Sequence, residues 1–462
     1  MTTFDQYLSP FSWRYASDDM RHIWSETNKR RIWRRIWLCL AEVQSQYGLV
    51  TGDQVQEISQ HVDQVDIPRA LSIEAEIHHD LMAELKTFAE QCGASGGVLH
   101  LGATSMDIED NADALRMRAA LDLILGKLDG LLIAFAGQIE SWADTPLMAF
   151  THLQPAEPST LGYRLATYAQ DMLEDRENLT RLRNSMRGKG FKGAVGTAAA
   201  YVELLGAQRY HEFEQKLSAL LDIPFFPVTT QTYPRKQDYQ VISALASLGA
   251  TLYKFAFDLR LLQSPLAGEL SEPFGQKQVG SSAMPFKRNP IQSEKIDSLA
   301  RSLANLPQQA WQNAAHSFLE RTLDDSANRR TLLPEAFLIT DELLITTTRI
   351  VKGLSVNTLA MQRNFATYAP FASCERLLMH LVKAGADRQE MHETLRQHAL
   401  HAWQVIQQGD PNPLIDFISS DPKILSFLPP DQITKLMQVE NYTGIAVAAA
   451  QQLAQQIRRI IV

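Results

Sequence analysis

The chain has 462 residues, of which 45% are hydrophobic and 21% are charged, a composition typical of a globular protein with a sizeable core. Its formal net charge of −8 argues against a dedicated nucleic-acid-binding protein, because such proteins usually carry an excess of basic residues. Three widely separated cysteines provide neither a disulfide framework nor a CxxC metal motif, and they favour a reducing compartment. Neither a secretory signal nor a membrane-spanning stretch is apparent, so we expect a cytoplasmic protein.

A first polar cluster lies in the sequence IHHDLMAEL, which contains His78, His79 and Asp80. We predict a helix across all three residues. Adjacent histidines on a helix point about 100° apart and therefore cannot readily bind one metal ion together. The alternative to a functional pair is one exposed histidine and one histidine that is capped by a neighbour.

A second cluster, HLGATSMDIEDN, contains Thr104 and Ser105. Ser105 followed by Asp107 and Glu109 is typical of a helix start. Backbone N–H groups and a hydroxyl at such a position favour the binding of a carboxylate. A plain helix cap is the alternative interpretation.

The helix predicted to start at Ser105 is the first of several long ones. Its apolar residues recur at steps of three and four from Leu121 to Trp142, which predicts one apolar stripe. Three further long helices are predicted over residues 237–263, 291–314 and 329–354. Helices of this length cannot bury their whole stripe within one small globule, so the pattern predicts an all-α bundle that forms oligomers. We expect the stripe from Leu121 to Trp142 to be buried between subunits.

A third cluster, FTHLQPAEPSTLGYR, places Thr151 and His152 in a polar loop before a helix predicted to start near Pro158. A histidine in such a loop titrates near neutral pH and can serve as a general acid or base. The alternative is an ordinary surface histidine.

Strand signals are scarce along the chain, and residues 223–233 read as an extended segment broken by prolines.

A fourth cluster, ERTLDDSANRR, contains Arg321, Ser326 and Arg330. Neighbouring arginines suit the bidentate binding of phosphate or carboxylate, although ion pairs with Asp324 and Asp325 are equally possible. The sequence has no Walker-type loop and no GxGxxG after a strand, so nucleotide binding by those routes is unsupported.

Domain boundaries are predicted near residue 105, after a glycine-rich segment, and near residue 357. The predicted domains are therefore 1–105, 106–357 and 358–462. The basic, glycine-containing segment 181–193 is predicted to face solvent rather than a bound anion.

The sequence GSSAMPFKRNP, residues 280–290, is unusual for a surface turn. Its two prolines prevent a continuous helix, and its glycine frees the backbone. Two serines then lie close in sequence to Lys287 and Arg288. A simple turn needs neither the hydroxyls nor the concentrated positive charge, so this loop is a candidate for chemistry on an anionic substrate.

Taken together, these motifs resemble the adenylosuccinate lyase family of the aspartase/fumarase superfamily. GSSAMPFKRNP matches the superfamily signature, with support from HLGATS and THLQPA. SPFSWRYAS, QTYPRK, ERTLDDSANRR and LVKAGADRQEMHE also have counterparts in the family, in the same order. The resemblance covers essentially the whole chain.

The resemblance implies an all-α fold of three mostly helical domains, in which the central long-helix bundle forms the core of a homotetramer with active sites shared between subunits. It implies the β-elimination of fumarate from adenylosuccinate, giving AMP, and from SAICAR, giving AICAR. It implies small-molecule substrates and no cofactor, metal, nucleic acid or membrane partner.

The resemblance also implies roles for individual residues. Ser281 corresponds to the base that removes the Cβ proton, and His152 to the general acid that protonates the departing nitrogen. Lys287 and the N–H groups near Ser282 would stabilise the dianionic intermediate, with Asn289 in support.

Further roles follow from the same matching. His79 corresponds to a second histidine on the phosphate side, and Glu294 to a carboxylate that orients the catalytic groups. The residues implied to contact the phosphate are Arg14, Tyr15, Arg321, Ser326 and Arg330. Those implied to hold the succinyl carboxylate are Thr104, Ser105 and Gln231. The substrate-binding set also includes His78, Asp80, Thr151 and Lys295.

Three positions depart from the family pattern. His78 and Lys295 each replace an arginine, which removes planar bidentate geometry, and Ala198 replaces a glutamine. Two alternatives to adenylosuccinate cleavage are another fumarate-releasing lyase, such as an argininosuccinate lyase, and a catalytically silent helical scaffold.

Overall fold

The computed structural model describes residues 4–461. The N-terminal part begins with a 3-10 helix at Pro10–Ser12, and a second 3-10 helix covers Gly93–Val98. Five α-helices precede residue 93: α1 Asp18–Ile23, α2 Glu26–Ser45, α3 Gly52–His61, α4 Ile67–Ile77 and α5 Asp80–Gln91.

Long helices make up the middle of the chain, as the sequence predicts. The helices here are α6 Ser105–Ser141, α7 Leu161–Ser185, α8 Ala199–Leu205, α9 Ala207–Leu220, α10 Lys236–Gln263, α11 Ile291–Ala315 and α12 Asp324–Lys352. Five of these helices have 25 to 37 residues. The predicted bounds of α10 and α11 are confirmed to within one residue.

The remaining described helices have 4 to 26 residues: α13 Thr358–Lys383, α14 Arg388–Gln407, α15 Leu414–Ser419, α16 Pro422–Leu425, α17 Pro430–Met437 and α18 Ala446–Ile461. Strands β1 Pro146–Thr151 and β2 Gln154–Thr160 form an antiparallel hairpin, and the two-residue strands β3 Leu270–Ser271 and β4 Ser355–Val356 pair antiparallel. The fold within the described residues is therefore all-α with two minor two-stranded sheets. None of its helices there is both long and apolar enough to cross a membrane.

The chain packs as two compact units. The first unit holds the described residues of Met1–Leu128 together with Asp175–Ala250 and Ser298–Ile345. The second holds Asp129–Glu174, Thr251–Asp297 and the described residues of Thr346–Val462. The three-domain division at residues 105 and 357 stays a prediction.

The first unit packs its N-terminal helices around a buried ion cluster. The Glu84 carboxylate of α5 accepts hydrogen bonds from Arg34 Nε at 2.6 Å and from Arg30 Nη1 at 2.9 Å, both from α2. All three side chains are almost completely buried. Trp37 and Phe88 pack beside this cluster, with ring centroids 6.2 Å apart. Burial of both the ion cluster and the aromatic rings fixes α5, and therefore the residues at its N-terminus.

The second unit contains a separate apolar core beneath its C-terminal helices. Leu377, Met391, Leu414 and Ile433 belong to one cluster of fully buried side chains from α13, α14, α15 and α17. Removal of this apolar surface from water is the main contribution to the packing of these four helices.

The predicted helix across residues 78–80 is wrong. His78 has a left-handed backbone (φ 54°) and ends α4, whereas His79 caps the N-terminus of α5. The chain therefore turns sharply between the two histidines. The apolar periodicity on either side fits two short helices as well as one continuous helix, and only the backbone conformation distinguishes them.

The predicted burial of the α6 stripe between subunits is also wrong. Leu121, Leu128, Leu132, Phe135 and Ile139 are already fully buried within the single chain. The chain supplies its own partner helices. The Phe135 ring, for example, packs edge-on against Phe255 of α10, with centroids 5.3 Å apart.

Two local predictions need correction. The helix expected near Pro158 begins at Leu161, because the preceding residues form β2. The basic segment 181–193 does not simply face solvent, since Lys189 and Lys192 are buried and contact Asp107 and Glu214, respectively. A buried carboxylate far away in the sequence can neutralise a lysine, and no local pattern reveals such a partner.

Candidate active site

Two helix N-termini meet at His79 and Ser105 in the first unit. His79 Nδ1 accepts a hydrogen bond from the Met82 N–H of α5 at 3.4 Å, so the neutral ring carries its proton on Nε2. That Nε2 lies 3.4 Å from the Ser105 Oγ, at the first residue of α6. Both helix N-termini carry partial positive charge, which is an arrangement suited to an anion.

A buried carboxylate holds Thr104 and Ser105 in place. Asp107 Oδ2 accepts the Thr104 N–H at 3.0 Å. Its other oxygen, Oδ1, accepts hydrogen bonds from Lys189 Nζ and from the Lys192 N–H, the latter at 3.1 Å. The start of α6 is therefore tied to segment 189–193, and the hydroxyl of Ser105 stays next to His79.

Asp80 and Arg330 form an ion pair at the edge of a cavity of about 160 Å³. Arg330 Nη2 donates to Asp80 Oδ2 at 2.7 Å, and its side chain remains 55% exposed. Burial opposes ionisation of Asp80, but the charge and hydrogen bond of Arg330 outweigh it and lower the pKa of the Asp80 carboxyl. We call this cavity the Arg330 pocket.

The structure brings four of the sequence-predicted residues together in the Arg330 pocket: Asp80, Arg321, Ser326 and Arg330. The remaining lining residues are Trp24, Glu26, Lys29, Trp33, Met106, Glu109, Asp113, Arg116, Arg329, Leu333 and Pro334. The tryptophan and leucine side chains supply apolar walls, and the arginines and Ser326 supply hydrogen-bond donors. Such a pocket can hold a phosphate beside an apolar group.

A buried ion network lies next to this pocket. Arg235 bridges two carboxylates: its Nε donates to Asp325 Oδ2 at 2.6 Å and its Nη1 donates to Asp110 Oδ1 at 2.9 Å. Asp325 in turn accepts from Arg321 Nη1 at 2.7 Å, which fixes one of the pocket arginines. Asp110 also accepts the Tyr233 N–H at 2.8 Å.

The network extends through a second arginine. Arg329 donates from Nε to Asp238 at 2.9 Å and from Nη2 to the Tyr233 hydroxyl at 2.8 Å. Gln231, two residues before Tyr233, donates its backbone N–H to the Glu320 carbonyl at 3.1 Å. The predicted residue Gln231 is therefore adjacent to the segment that carries Arg321.

Arg14, Tyr15 and His78 are not among the residues that line the Arg330 pocket. The Arg14 guanidinium lies 5.7 Å from the Trp13 ring centroid and 6.0 Å from that of Tyr15. The segment that follows is anchored to α12 by hydrogen bonds to Asp341 and Glu342. His78 is exposed at the junction of α4 and α5.

The signature loop lies in the second unit, between β3 and α11, and both of its ends are fixed. Glu272 is buried and accepts the N–H groups of Gln292 and Ser293 at 3.1 and 3.0 Å, which caps α11. Asn289 Nδ2 donates to the Gly280 carbonyl at 3.0 Å. A Cβ on Gly280 would lie 2.0 Å from the Lys287 carbonyl oxygen, so only glycine fits this close approach.

Ser281 has a distinctive environment within this loop. Its Oγ accepts the N–H groups of Ala283 and Met284, at 3.3 and 3.1 Å. Donors aimed at an oxygen stabilise its deprotonated form, so this turn favours ionisation of the Ser281 hydroxyl. Ser282 and Lys287 are exposed on the same loop.

His152 lies in the two-residue turn between β1 and β2. Both His152 and Leu153 have left-handed backbones, with φ of 53° and 58°. Such turns favour glycine, which has no Cβ, and asparagine, whose short side chain can hydrogen-bond locally, whereas most other residues cost about 1–2 kcal/mol in this conformation. Among the described residues, no hydrogen bond or ion pair joins His152 to Ser281 or Lys287. Thr151 pairs with Gln154 in the hairpin.

Glu294 and Lys295 lie in the first turn of α11. The Glu294 carboxylate is half exposed, and its Oε1 is 4.0 Å from Arg260 Nη2. At this distance the arginine provides charge but no hydrogen bond.

Sequence reasoning did not identify Glu109, Asp110 and Arg235 as site residues. Asp110 is fully buried, although its neighbours in the sequence, Glu109 and Asn111, are polar. A charge on the buried face of a helix is a signal for a hidden cation, because unpaired buried charges are strongly unfavourable. The sequence does not show this burial, because Asp107, Glu109 and Asp113 around Asp110 are also acidic, and the partner Arg235 could not be inferred from spacing.

The chain matches two family models. One is described as lyase and matches residues 13–303, and the other is described as adenylosuccinate lyase C-terminus and matches residues 370–453. The chain is 38% identical to the adenylosuccinate lyase of Saccharomyces cerevisiae over 99% of this chain and 95% of that protein. It is 41% identical to the adenylosuccinate lyase of Schistosoma mansoni, over 91% of this chain and 89% of that protein.

The chain belongs to the adenylosuccinate lyase family. The resemblance seen in the sequence is therefore confirmed, and the chain is a lyase. Solved structures share the fold. The 3-carboxy-cis,cis-muconate lactonizing enzyme of Pseudomonas putida matches with a TM-score of 0.85 at 25% identity, covering 97% of this chain and 99% of that one. A fumarate lyase from Mesorhizobium sp. BNC1 matches with a TM-score of 0.84 at 23% identity, over the same shares.

The ion network generates a prediction about stability. Arg235→Met should lower the free energy of unfolding by about 3–5 kcal/mol, because Asp110 and Asp325 stay buried without their shared cation. Urea unfolding at fixed protein concentration measures this loss. The matched control is Arg69→Met, which breaks the exposed Arg69–Glu90 pair and should lower the free energy of unfolding far less, because water screens an exposed ion pair. Equal losses in the two variants would contradict the role of Arg235.

Proposed function

We propose that this chain cleaves adenylosuccinate to fumarate and AMP, and SAICAR to fumarate and AICAR, in purine biosynthesis. The observation that carries the proposal is the Arg330 pocket, in a chain that belongs to the adenylosuccinate lyase family. Arg321, Ser326 and Arg330 offer donors for a phosphate next to aromatic walls. This chemistry suits a nucleotide substrate better than argininosuccinate, which carries no phosphate.

Ser281 is the proposed base. The hydroxyl first loses its proton to solvent; the resulting Oγ alkoxide then takes up the Cβ proton of the succinyl group, and the electron pair of that C–H bond moves into the adjacent carboxylate. The two N–H donors to the Oγ support this role, because they lower the cost of the alkoxide. Lys287 and the N–H groups around Ser282 stabilise the negative charge that develops on the substrate, with help from Asn289.

His152 is the proposed acid. When the C–N bond breaks, the departing N6 takes up a proton from the imidazole, and fumarate and AMP result. The strained backbone at His152 supports a functional role, since strain of this kind persists where the surrounding structure and function require it. Glu294 orients the catalytic groups in this proposal.

The succinyl carboxylates bind Thr104, Ser105 and Gln231 in this proposal, and His79 lies on the phosphate side. The N-termini of α5 and α6 support this assignment through their partial positive charge. Arg14, Tyr15, His78, Asp80, Thr151 and Lys295 complete the proposed contacts.

We also propose a homotetramer whose active sites combine residues from different subunits. Two exposed apolar side chains flank His152, namely Phe150 at 40% and Leu153 at 70% exposure. They line a cavity of about 620 Å³ together with the exposed Tyr163 and Leu266. Contiguous exposed apolar groups of this kind mark interaction surfaces, so another subunit could cover the hairpin and complete the site around His152.

A cytoplasmic location belongs to the same proposal. All three cysteines are free thiols, which suits a reducing compartment.

The activity is tested by following fumarate release from adenylosuccinate, SAICAR and argininosuccinate. We expect release from the first two substrates only. Ser281→Ala should lower turnover by several orders of magnitude while AMP still binds, because only the proton acceptor is lost. Ser282→Ala is the matched control and should be milder, since its backbone N–H remains. A wild-type chain that releases no fumarate would refute the proposed function, and an active Ser281→Ala variant would refute the base.

His152→Asn separates chemistry from folding. Asparagine tolerates the left-handed backbone, so the turn and the thermal midpoint should be preserved. Turnover should fall by about 100- to 10,000-fold, because the general acid is gone. Thermal unfolding and fumarate release on the same samples measure both quantities. Retained turnover with an intact fold would show that His152 is not the acid.

Subunit mixing tests the shared site. His79→Ala and Ser281→Ala should each be inactive, but hybrid tetramers should regain part of the activity, because some sites then receive both residues from different chains. Native mass spectrometry confirms that hybrids form. The control mixes Ser281→Ala with the double variant His79→Ala/Ser281→Ala. Neither of these chains carries Ser281, so no site in their hybrids is intact. Confirmed hybrids without any recovery would argue for a site contained within one chain.

A further inference from the structure

Glu109 lies in the Arg330 pocket but has no role in the proposed function so far. It follows Met106 by one helical turn on α6, and both side chains line the pocket together with Ser326 and Arg330. Glu109 is therefore a carboxyl group in a cavity whose donors suit a phosphate. An ionised carboxylate in this position would repel a phosphate dianion.

The other carboxylates of the pocket lining are neutralised by cations. Glu26 pairs with Lys29 at 2.8 Å, and Asp80 pairs with Arg330 at 2.7 Å. Asp113 pairs with two arginines, Arg116 at 3.3 Å and Arg329 at 3.2 Å. Among the described residues that line the pocket, Glu109 is the one carboxyl without an ion pair or hydrogen bond.

The surroundings of Glu109 favour its neutral form. Burial and, after it, the negative charges of Asp80, Asp110 and Asp113 raise the pKa of the Glu109 carboxyl to about 8, against the opposing charge of Arg330. A phosphate dianion that enters the pocket would add negative charge and favour the neutral form further. A neutral carboxylic acid has an O–H group that can donate a hydrogen bond.

We propose that Glu109 binds the substrate phosphate as a protonated acid, donating its O–H to a phosphate oxygen that Ser326 and Arg330 also contact. The inference rests on the proposed function, because it takes the Arg330 pocket as the phosphate site. It assigns a ligand contact to a residue that the motifs did not single out. It also makes phosphate affinity depend on pH in the weakly alkaline range.

The direction in which phosphate affinity changes with pH follows from the protonation of Glu109 in the unliganded protein. Below the pKa of Glu109 the acid is already protonated, so phosphate binds with full affinity. Above it, each binding event must first take up a proton, so affinity falls by up to tenfold per pH unit. The charged groups around Glu109 come from α2, α5, α6 and α12 and the segment before α12: Glu26, Lys29, Asp80, Asp110, Asp113, Arg116, Arg321, Arg329 and Arg330.

The experiment is calorimetric titration of AMP into the whole protein at pH 7 and pH 9. The wild-type Kd should rise about tenfold between these values. Glu109→Gln keeps a neutral donor of the same shape, so its Kd should stay nearly constant. Glu109→Ala loses the hydrogen-bond donor, so it should bind AMP more weakly than the wild type at pH 7. Its Kd should not rise between pH 7 and pH 9. The other surrounding groups are common to all three proteins, so the comparison isolates Glu109.

Proton uptake gives an independent readout. Titrations in buffers of different ionisation enthalpy should show close to one proton taken up per AMP by the wild type at pH 9, and a correspondingly smaller number for Glu109→Gln. Inorganic phosphate should show the same pH dependence as AMP. If only AMP responded to Glu109, the contact would be with the nucleoside, and the assignment to the phosphate would be overturned.

Fumarate release at pH 7 keeps the two proposals apart. The role of Glu109 would be overturned if the wild type released fumarate but its Kd for AMP changed with pH in the same way as the Kd of Glu109→Gln. The lyase activity would then still stand. A wild type that binds AMP with the predicted pH dependence but releases no fumarate would overturn the proposed function alone. A protein that binds neither AMP nor phosphate would overturn the inference.

Discussion

Arg235 sits between two buried carboxylates, and the first unit depends on this arrangement. Asp110 belongs to α6, Asp325 belongs to α12, and Arg235 immediately precedes α10, so one guanidinium ties three long helices together. Desolvation of these charges is costly, and it is offset only if their hydrogen bonds are well formed. The arrangement therefore tolerates little displacement. Arg321 and Ser326 lie next to this arrangement and are therefore held in fixed positions as well.

The two units carry different parts of the chemistry in the proposed reaction. The first unit offers cations, hydroxyls and helix N-termini, which bind an anionic substrate. The second offers Ser281 and Lys287 on a loop whose ends are fixed by Glu272 and Asn289, and His152 on a tight hairpin. Preorganisation in both units means that few groups need to reorient when charge develops on the substrate.

Much of the fold could be predicted from the sequence, because long helices repeat their apolar pattern many times. The start of α6 at Ser105 and both ends of α10 and α11 follow from periodicity and capping residues. The turn at His78 could not be predicted, since its left-handed backbone depends on how α4 and α5 pack. The hairpin around His152 was also missed, because its turn lacks the usual asparagine and glycine.

The candidate site likewise contains residues that the sequence identifies and contacts that it does not predict. Sequence motifs identified Asp80, Ser326 and Arg330 as candidates from their charge or hydroxyl group. The structure brings these three residues to one pocket. The ion pairs of Arg235 and Lys189 could not be predicted, because their partners lie far away in the chain. Pairing across such distances is decided by packing, and no local pattern records it. The burial of the α6 stripe was misjudged for the same reason, since its partner helices could not be located from spacing alone.

The hydrogen bonds to Ser281 come from the main chain, and this has a consequence for how the loop can vary. Ala283 and Met284 contribute only their N–H groups to the serine oxygen, so their side chains are free to change in size and polarity. Proline is the exception, because it has no N–H to donate. The turn that holds the Ser281 hydroxyl is therefore determined by backbone conformation, and related chains can differ at both positions while keeping the same two hydrogen bonds to the serine oxygen.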